Sequence, residues 1–260
     1  VNGHEEPSIV KTVEMKHHPF SKSAVDIIIP FHGQYDRVIS LINSIIISVK
    51  SNPYQITLID DGSSNKEFVN QFKDFDKGRP AWAEPILKVI RNKERFGFAN
   101  SVRIGLQNTK QAWCMIMHSD CIVEDPQWMI EMGKSILALK NNKVKMIGPK
   151  NQHKSINAQR QPDVVLGDDG FLPLFCVLFH RELFAHIGGY IKDYPGYEDE
   201  ELAHRMHYYG YKQAICGNSY ATHVGGCTYE ALIKENPELR QEIDNNRDRV
   251  VADLQNLYQR

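Results

Sequence analysis

Little in this chain is long, one-sided or repeated, and each shortage removes a class of protein. No apolar run approaches the ~20 residues that span a bilayer. The polar opening VNGHEEPSIVKTVEMKHHPFSKSA (1–24) also lacks the apolar centre of a signal peptide, so a soluble protein in the cytoplasm is the expectation. Neither sign of charge is in excess. With 31 Lys and Arg against 32 Asp and Glu, the chain has no overall electrostatic footprint for nucleic acid or an anionic membrane. The five cysteines (114, 121, 176, 216 and 227) are odd in number and never spaced CxxC. That spacing argues against a disulfide framework or a zinc site, and for a reducing compartment. No internal repeat or low-complexity tract breaks the 260 residues, a length that suits one sizeable domain with a small appendage.

What is present is an alternation of short β-rich runs with helical spacing, the mark of an α/β domain around a largely parallel sheet. VDIII (25–29) predicts a first strand closed by Pro30. Val38, Leu41, Ile42, Ile45, Ile46 and Val49 then recur at the spacings of one helix face. ITLID (56–60), ILKVI (86–90) and WCMIM (113–117) predict three more strands, with a helix from Gly97 to Gln107 before the last of them. VKMIG (144–148) and LFCVLF (174–179) read as further strands and a helix opens near Asp199. From Thr228 onward the pattern is polar helix interrupted at Pro237.

Ligands of such sheets bind beyond the carboxyl ends of the strands. Polar clusters fall at four of those ends: Pro30 to His32, Asp60 to Ser63, Arg91 to Arg95, and His118 to Asp120. Each has a purely structural alternative. Asp-Asp-Gly-Ser makes an ordinary Asx turn, and His118-Ser119-Asp120 suits the approach to a helix that starts near Asp125-Pro126. Further on, Glu198, Asp199, Glu200 and Glu201 crowd the first turn of one helix. The helix dipole favours acids there, but four in a row exceed what capping needs.

Taken in order, the motifs are VDIIIPFHG, LIDDGS, RFGFANSVRIG, MHSDC, Gly188-Gly189-Tyr190 with GYEDEELAHRM, and ATHVGG. Over roughly residues 25–226 they resemble the inverting glycosyltransferases of family 2. The resemblance implies a GT-A type, Rossmann-like single domain, with a mixed, mostly parallel central sheet flanked by helices and a C-terminal helical tail. It divides the chain into an N-terminal arm (1–24), a catalytic domain (25–226) and a C-terminal helical extension (227–260). The implied reaction is a metal-dependent, inverting transfer of hexosyltransferase type. A nucleoside diphosphate sugar, with UDP as the expected nucleotide, gives its sugar to a glycan or another hydroxyl acceptor.

The same resemblance assigns roles. Asp199 is the base that takes the proton of the attacking hydroxyl, and Glu198 binds the acceptor hydroxyl or the donor sugar. Asp60 hydrogen-bonds the nucleobase with Asp61 beside it, and Pro30, His32 and Arg95 line the nucleotide pocket. His118, Ser119 and Asp120 stand where relatives carry Asp-X-Asp. Asp120 and His223 are therefore the implied metal ligands, alongside diphosphate oxygens, and manganese is favoured over magnesium because imidazole suits a borderline ion. His118 departs from the pattern: an imidazole can bond a ribose hydroxyl but brings no negative charge.

Two other functions stay open at this point. A sugar-phosphate nucleotidyltransferase also joins an α/β nucleotide site to a divalent ion, but PFHGQYD is not the glycine-rich phosphate loop it needs. A non-catalytic nucleotide-sugar binding module is compatible with His118, whereas the intact Glu198-Asp199 pair speaks for catalysis. One feature belongs to no motif. From Met132 to Pro162 there is no Asp or Glu, while Lys134, Lys140, Lys143, Lys145, Lys150, Lys154 and Arg160 fall within that stretch. A solvated basic face explains it, and so does a loop that closes over the diphosphate or an anionic acceptor. The C-terminal helices offer a surface for self-association.

Overall fold

The computed structural model describes residues 24–49, 54–64, 72, 87–153, 159–225, 233–234 and 236–259. The expected N-terminal arm up to residue 23, Lys154, Cys227 and most of the segment between the sheet and the last helix lie outside them.

Strand β1 (Val25–Phe31) is buried along its whole length. Val25, Ile27, Ile29 and Phe31 join one core and Ile28 the other, the two-residue period of a strand covered on both faces. Each such isoleucine contributes about 1.5–3 kcal/mol through burial. Helix α1 (Tyr35–Ser48) follows and lays Val38, Leu41, Ile42 and Ile45 on the first face. Then come β2 (Tyr54–Asp60), β3 (Leu87–Arg91), α2 (Phe98–Gln107), β4 (Trp113–Met117), β5 (Cys121–Ile122) and α3 (Trp128–Ala138). They are followed by β6 (Val144–Asn151), β7 (Val164–Val165), β8 (Cys176–His180), α4 (Leu183–His186), α5 (Glu198–Tyr208), β9 (Lys212–His223) and α6 (Glu238–Tyr258).

These strands form one mixed sheet in the order β3-β2-β1-β4-β8-β6-β9-β5, with β7 on β9. The first four run parallel, β8 is antiparallel to both β4 and β6, and β9 is parallel to β6. Helices α1 and α3 cover one face; α2, α4 and α5 cover the other. The α2 contact is close: a Cβ on Gly105 would fall 2.4 Å from Ile28 Cγ2. Gly105→Ala therefore overpacks this seam, at a cost of about 1–3 kcal/mol.

One expectation changes. β1 does not stop at Pro30 but runs through it to Phe31, pairing Pro30 with Ile59. Pairing with β4 ends earlier, at Ile28 opposite Ile116, so the N–H that proline lacks is not needed on that side. Residues 233 and 234 are helical and Pro237 then stands as the N-cap of α6, so the break expected at this proline is where the chain makes it. That helix packs on α5, where Tyr258 Oη donates to the His204 carbonyl at 3.3 Å and the rings of Tyr208 and Tyr258 meet edge to face. Among the described residues no helix is long and apolar enough to cross a membrane.

Candidate active site

A cavity of about 270 Å³ opens where the carboxyl ends of the parallel strands meet the start of α5. Pro30, His32, Asp61 and Arg95 line one side, His118, Ser119, Asp120 and His223 another, and Glu198 and Asp199 the far wall. Of the residues given a role in the site by the resemblance, Asp60 is the one that does not line it.

Asp60 is fully buried beneath the cavity. Its Oδ1 accepts the Ser63 N–H at 3.0 Å, and its Oδ2 lies 2.8 Å from Arg91 Nη1. Arg91 Nη2 also donates to the Ser63 carbonyl. The expected bond from Asp60 to a nucleobase is not what this structure places there: the carboxylate folds the turn, and to reach a base it would have to abandon Arg91 and the Ser63 amide.

Asp61 faces the cavity and ties three strand ends together. Its Oδ1 accepts from the Phe96 N–H at 2.8 Å and from Asn92 Nδ2 at 2.9 Å, and its Oδ2 accepts from the Gly97 N–H at 2.9 Å. Its carbonyl accepts from His32 Nδ1 at 2.8 Å, which fixes the proton on that ring nitrogen. Next along, Gly62 has φ +71, and a Cβ there would sit 2.6 Å from the backbone carbon of Glu94. No other residue fits that turn.

His118, Asp120 and His223 converge because β5 pairs with β9, setting Cys121 opposite His223. His223 Nε2 lies 3.1 Å from Asp120 Oδ1 and 3.2 Å from His118 Nδ1. Phe175 stacks on the His223 ring, with centroids 4.9 Å apart, and Phe98 meets His118 edge-on at 5.0 Å. Burial, reinforced by His223, lowers the His118 pKa to about 4 against the pull of Asp120. It is therefore neutral at physiological pH, with a nitrogen lone pair to offer. Burial alone would raise Asp120, but the hydrogen bond and charge of His223 outweigh it and lower its pKa. His118 thus stands in one cluster with the two expected metal ligands.

On the far wall, Glu198 Oε2 accepts the Gly196 N–H at 2.8 Å. Asp199 is pushed by burial to a pKa of about 6; a backbone hydrogen bond from Leu174 and the charge of His223 oppose the rise, and Glu200 adds to it. Glu201 turns away from the cavity and forms a buried two-bond pair with Arg205, at 2.8 and 2.9 Å. Arg205 also donates to the carbonyls of Ile187, Gly189 and Tyr190, locking the preceding loop to α5. Arg205 therefore balances Glu201 rather than the pair at the cavity. In the acid-free stretch, Lys134 and Arg160 both pair with Glu131 at 2.8 Å, just outside its boundary.

Sequence reasoning missed Phe98, Pro195 and Gly196, which line the cavity, and Phe175, which stacks on the His223 ring. The Phe96-Gly97-Phe98 run after Arg95 carried a signal for Phe98; Phe175, inside an apolar strand-like run, carried none.

A cleft at the carboxyl edge of a mixed Rossmann-like sheet, with acids and histidines converging on it, is the arrangement of a GT-A glycosyltransferase. The chain belongs to Glycosyl transferase family 2, whose pattern it matches over residues 26–188, more than half its length. Among solved structures it is similar to the mannosyltransferase PcManGT from Pyrobaculum calidifontis in complex with GDP-Man and Mn2+. The TM-score there is 0.63 at 15% identity, covering 90% of this chain and 66% of that one. It is also similar to S. aureus TarS 1-349 in complex with UDP-GlcNAc, with a TM-score of 0.56 at 13% identity, covering 80% and 61%. Likeness at such identities establishes the fold, and the chain spans about two thirds of the first protein and three fifths of the second. No curated protein sequence matches it.

Proposed function

We propose that the chain is a metal-dependent, inverting glycosyltransferase that moves a sugar from a nucleoside diphosphate, with UDP as the expected nucleotide, to a hydroxyl acceptor. One observation carries the reading: Asp199, with its pKa raised to about 6, stands in the same cavity as Arg95 and the His118-Asp120-His223 cluster.

As a carboxylate at neutral pH, Asp199 accepts the proton of the acceptor hydroxyl. The acceptor oxygen bonds to the anomeric carbon while the carbon–oxygen bond to the diphosphate breaks. Attack opposite the leaving group inverts the configuration. Arg95, in the wall of the cavity, supplies positive charge for the diphosphate, and the loops joined by Asp61 shape the nucleotide side.

The cluster fits a divalent ion. His223 Nε2 has one proton to share between two neighbours at 3.1 and 3.2 Å, and separations of about 3 Å are those of adjacent ligands on one ion. Two imidazoles and a carboxylate favour manganese over magnesium, which prefers oxygen ligands throughout. When bound, such an ion neutralises charge on the departing diphosphate.

The test is a donor screen with UDP-GlcNAc, GDP-Man and other nucleotide sugars, with products identified. A glycosyltransferase releases nucleoside diphosphate, and NMR reads the configuration of the transferred sugar. Sugar 1-phosphate among the products would indicate a nucleotidyltransferase instead. EDTA should abolish turnover, and manganese should restore it better than magnesium; full activity in EDTA would remove the metal from the mechanism.

A further inference from the structure

Pro195 and Gly196 form the cavity wall next to Glu198 and Asp199, and α6 holds this strap from behind. The docked stripe of α6 is apolar at Leu239, Ile243, Val250 and Leu254, with one polar residue, Asn246, set inside it and fully buried. An amide persists in such a place when its hydrogen bonds are made. Asn246 Nδ2 donates to the Pro195 carbonyl at 3.2 Å, and its Oδ1 accepts from Arg249 Nη1 at 2.6 Å. Arg249 lies over the Tyr194 ring, 5.3 Å from its centroid, and the Tyr194 hydroxyl donates to Asp253.

Close packing adds to these bonds. Gly196 has φ +87, and Ile243 Cγ2 lies 3.0 Å from where its Cβ would be, so α6 closes directly on the backbone of the wall. On the opposite flank, Asn100 of α2 donates to Asp193 Oδ2 at 3.3 Å. The strap 193–196 is thus set between α2 and α6. Leucine at position 246 would suit the stripe better for simple burial; a lone polar residue in an apolar seam instead fixes register.

We propose that α6 completes the active site and that Asn246 is a positioning residue. It fixes Pro195 and Gly196 and, through the bond from the Gly196 N–H to Glu198, the first turn of α5 that carries Asp199. The proposal rests on the reading of Asp199 as the base.

The test is Asn246→Leu in the full chain, which keeps α6 docked but removes the bond to Pro195. Hydrogen exchange should quicken at Tyr194 and at residues 196–199, with protection elsewhere unchanged. For the donor identified in the screen above, kcat for hydrolysis should fall about 10-fold to 100-fold, as for a displaced catalytic group, while KM stays within about 2-fold. Unchanged exchange in 194–199, unchanged kcat, or a joint loss of donor binding and global protection would each overturn the proposal. If Asn246→Leu does not fold, Tyr194→Phe serves: kcat should fall about 2-fold to 5-fold at constant KM, and an unchanged kcat overturns the idea. A wild-type protein that turns over no nucleotide sugar would sink the glycosyltransfer reading, whereas the exchange measurement would still decide what Asn246 positions.

Discussion

Asp60-Asp61 ends a strand and Glu198-Asp199 begins a helix, and the two acidic pairs, of which Asp60 alone stays out of the cavity, have different employment. Asp60 is matched by Arg91 and the Ser63 amide, Asp61 by two amides and the Asn92 side chain, and Glu198 accepts the Gly196 amide. Asp199 is the exception in kind: burial is the largest influence on it, and its pKa rises to about 6. A carboxylate ringed by N–H donors holds loops in place, whereas one that is half-buried with a raised pKa is poised to take a proton. Acidic residues, doubled in both places, serve as scaffold at one and, in the function proposed above, as chemistry at the other.

The sharpest break between the pairs is Asp199→Asn. Transfer should fall by roughly 100-fold to 10,000-fold, with nucleotide affinity measured by calorimetry unchanged. Near-native transfer would pass the base role to Glu198 or Glu200. Asp60→Ala should act on folding instead, costing about 2–4 kcal/mol in denaturant unfolding, since it strands Arg91, a partly exposed cation. Weakened UDP binding by a folded Asp60→Ala protein, with no loss of stability, would return Asp60 to the base pocket.

The pH dependence separates the pairs next. Asp199 must be ionised to act, so the rate should fall about 10-fold per pH unit below its pKa of about 6 and level off above it. A flat profile from pH 5 to 8 would exclude it as the base. Smallest is the effect on stability. A carboxyl whose folded pKa lies above its ordinary value holds its proton more tightly in the native state, so native stability declines as pH rises from about 4 to about 6. Asp199→Asn removes that decline, and thermal unfolding at pH 8 should show a gain in stability that is mostly lost by pH 4.

Much of this could be read from the chain because burial on two faces leaves a plain mark: the isoleucines of β1 and the spaced apolar residues of α1 are legible without any tertiary knowledge. Pro30 misled because its tolerance depends on where β4 stops, which only the sheet reveals. The choice between Asp60 and Asp61 was equally hidden, since it is made by Arg91, Asn92, Phe96 and Gly97, some thirty residues away. The resemblance placed Asp199 and Asp120 at the cavity by motif. The proximity of His118 to His223 was not legible, because it is a product of the β5–β9 register.

Gly62 has a wider consequence. Its missing side chain lets the turn after β2 press against the backbone at Glu94, after β3, while Asp61 clasps the amides of Phe96 and Gly97. The two segments are interlocked parts of one mechanical unit. Anyone retargeting the nucleotide preference by grafting sequence from another enzyme would have to transplant 60–64 and 92–97 together, and libraries that randomise either segment alone should be dominated by misfolded variants.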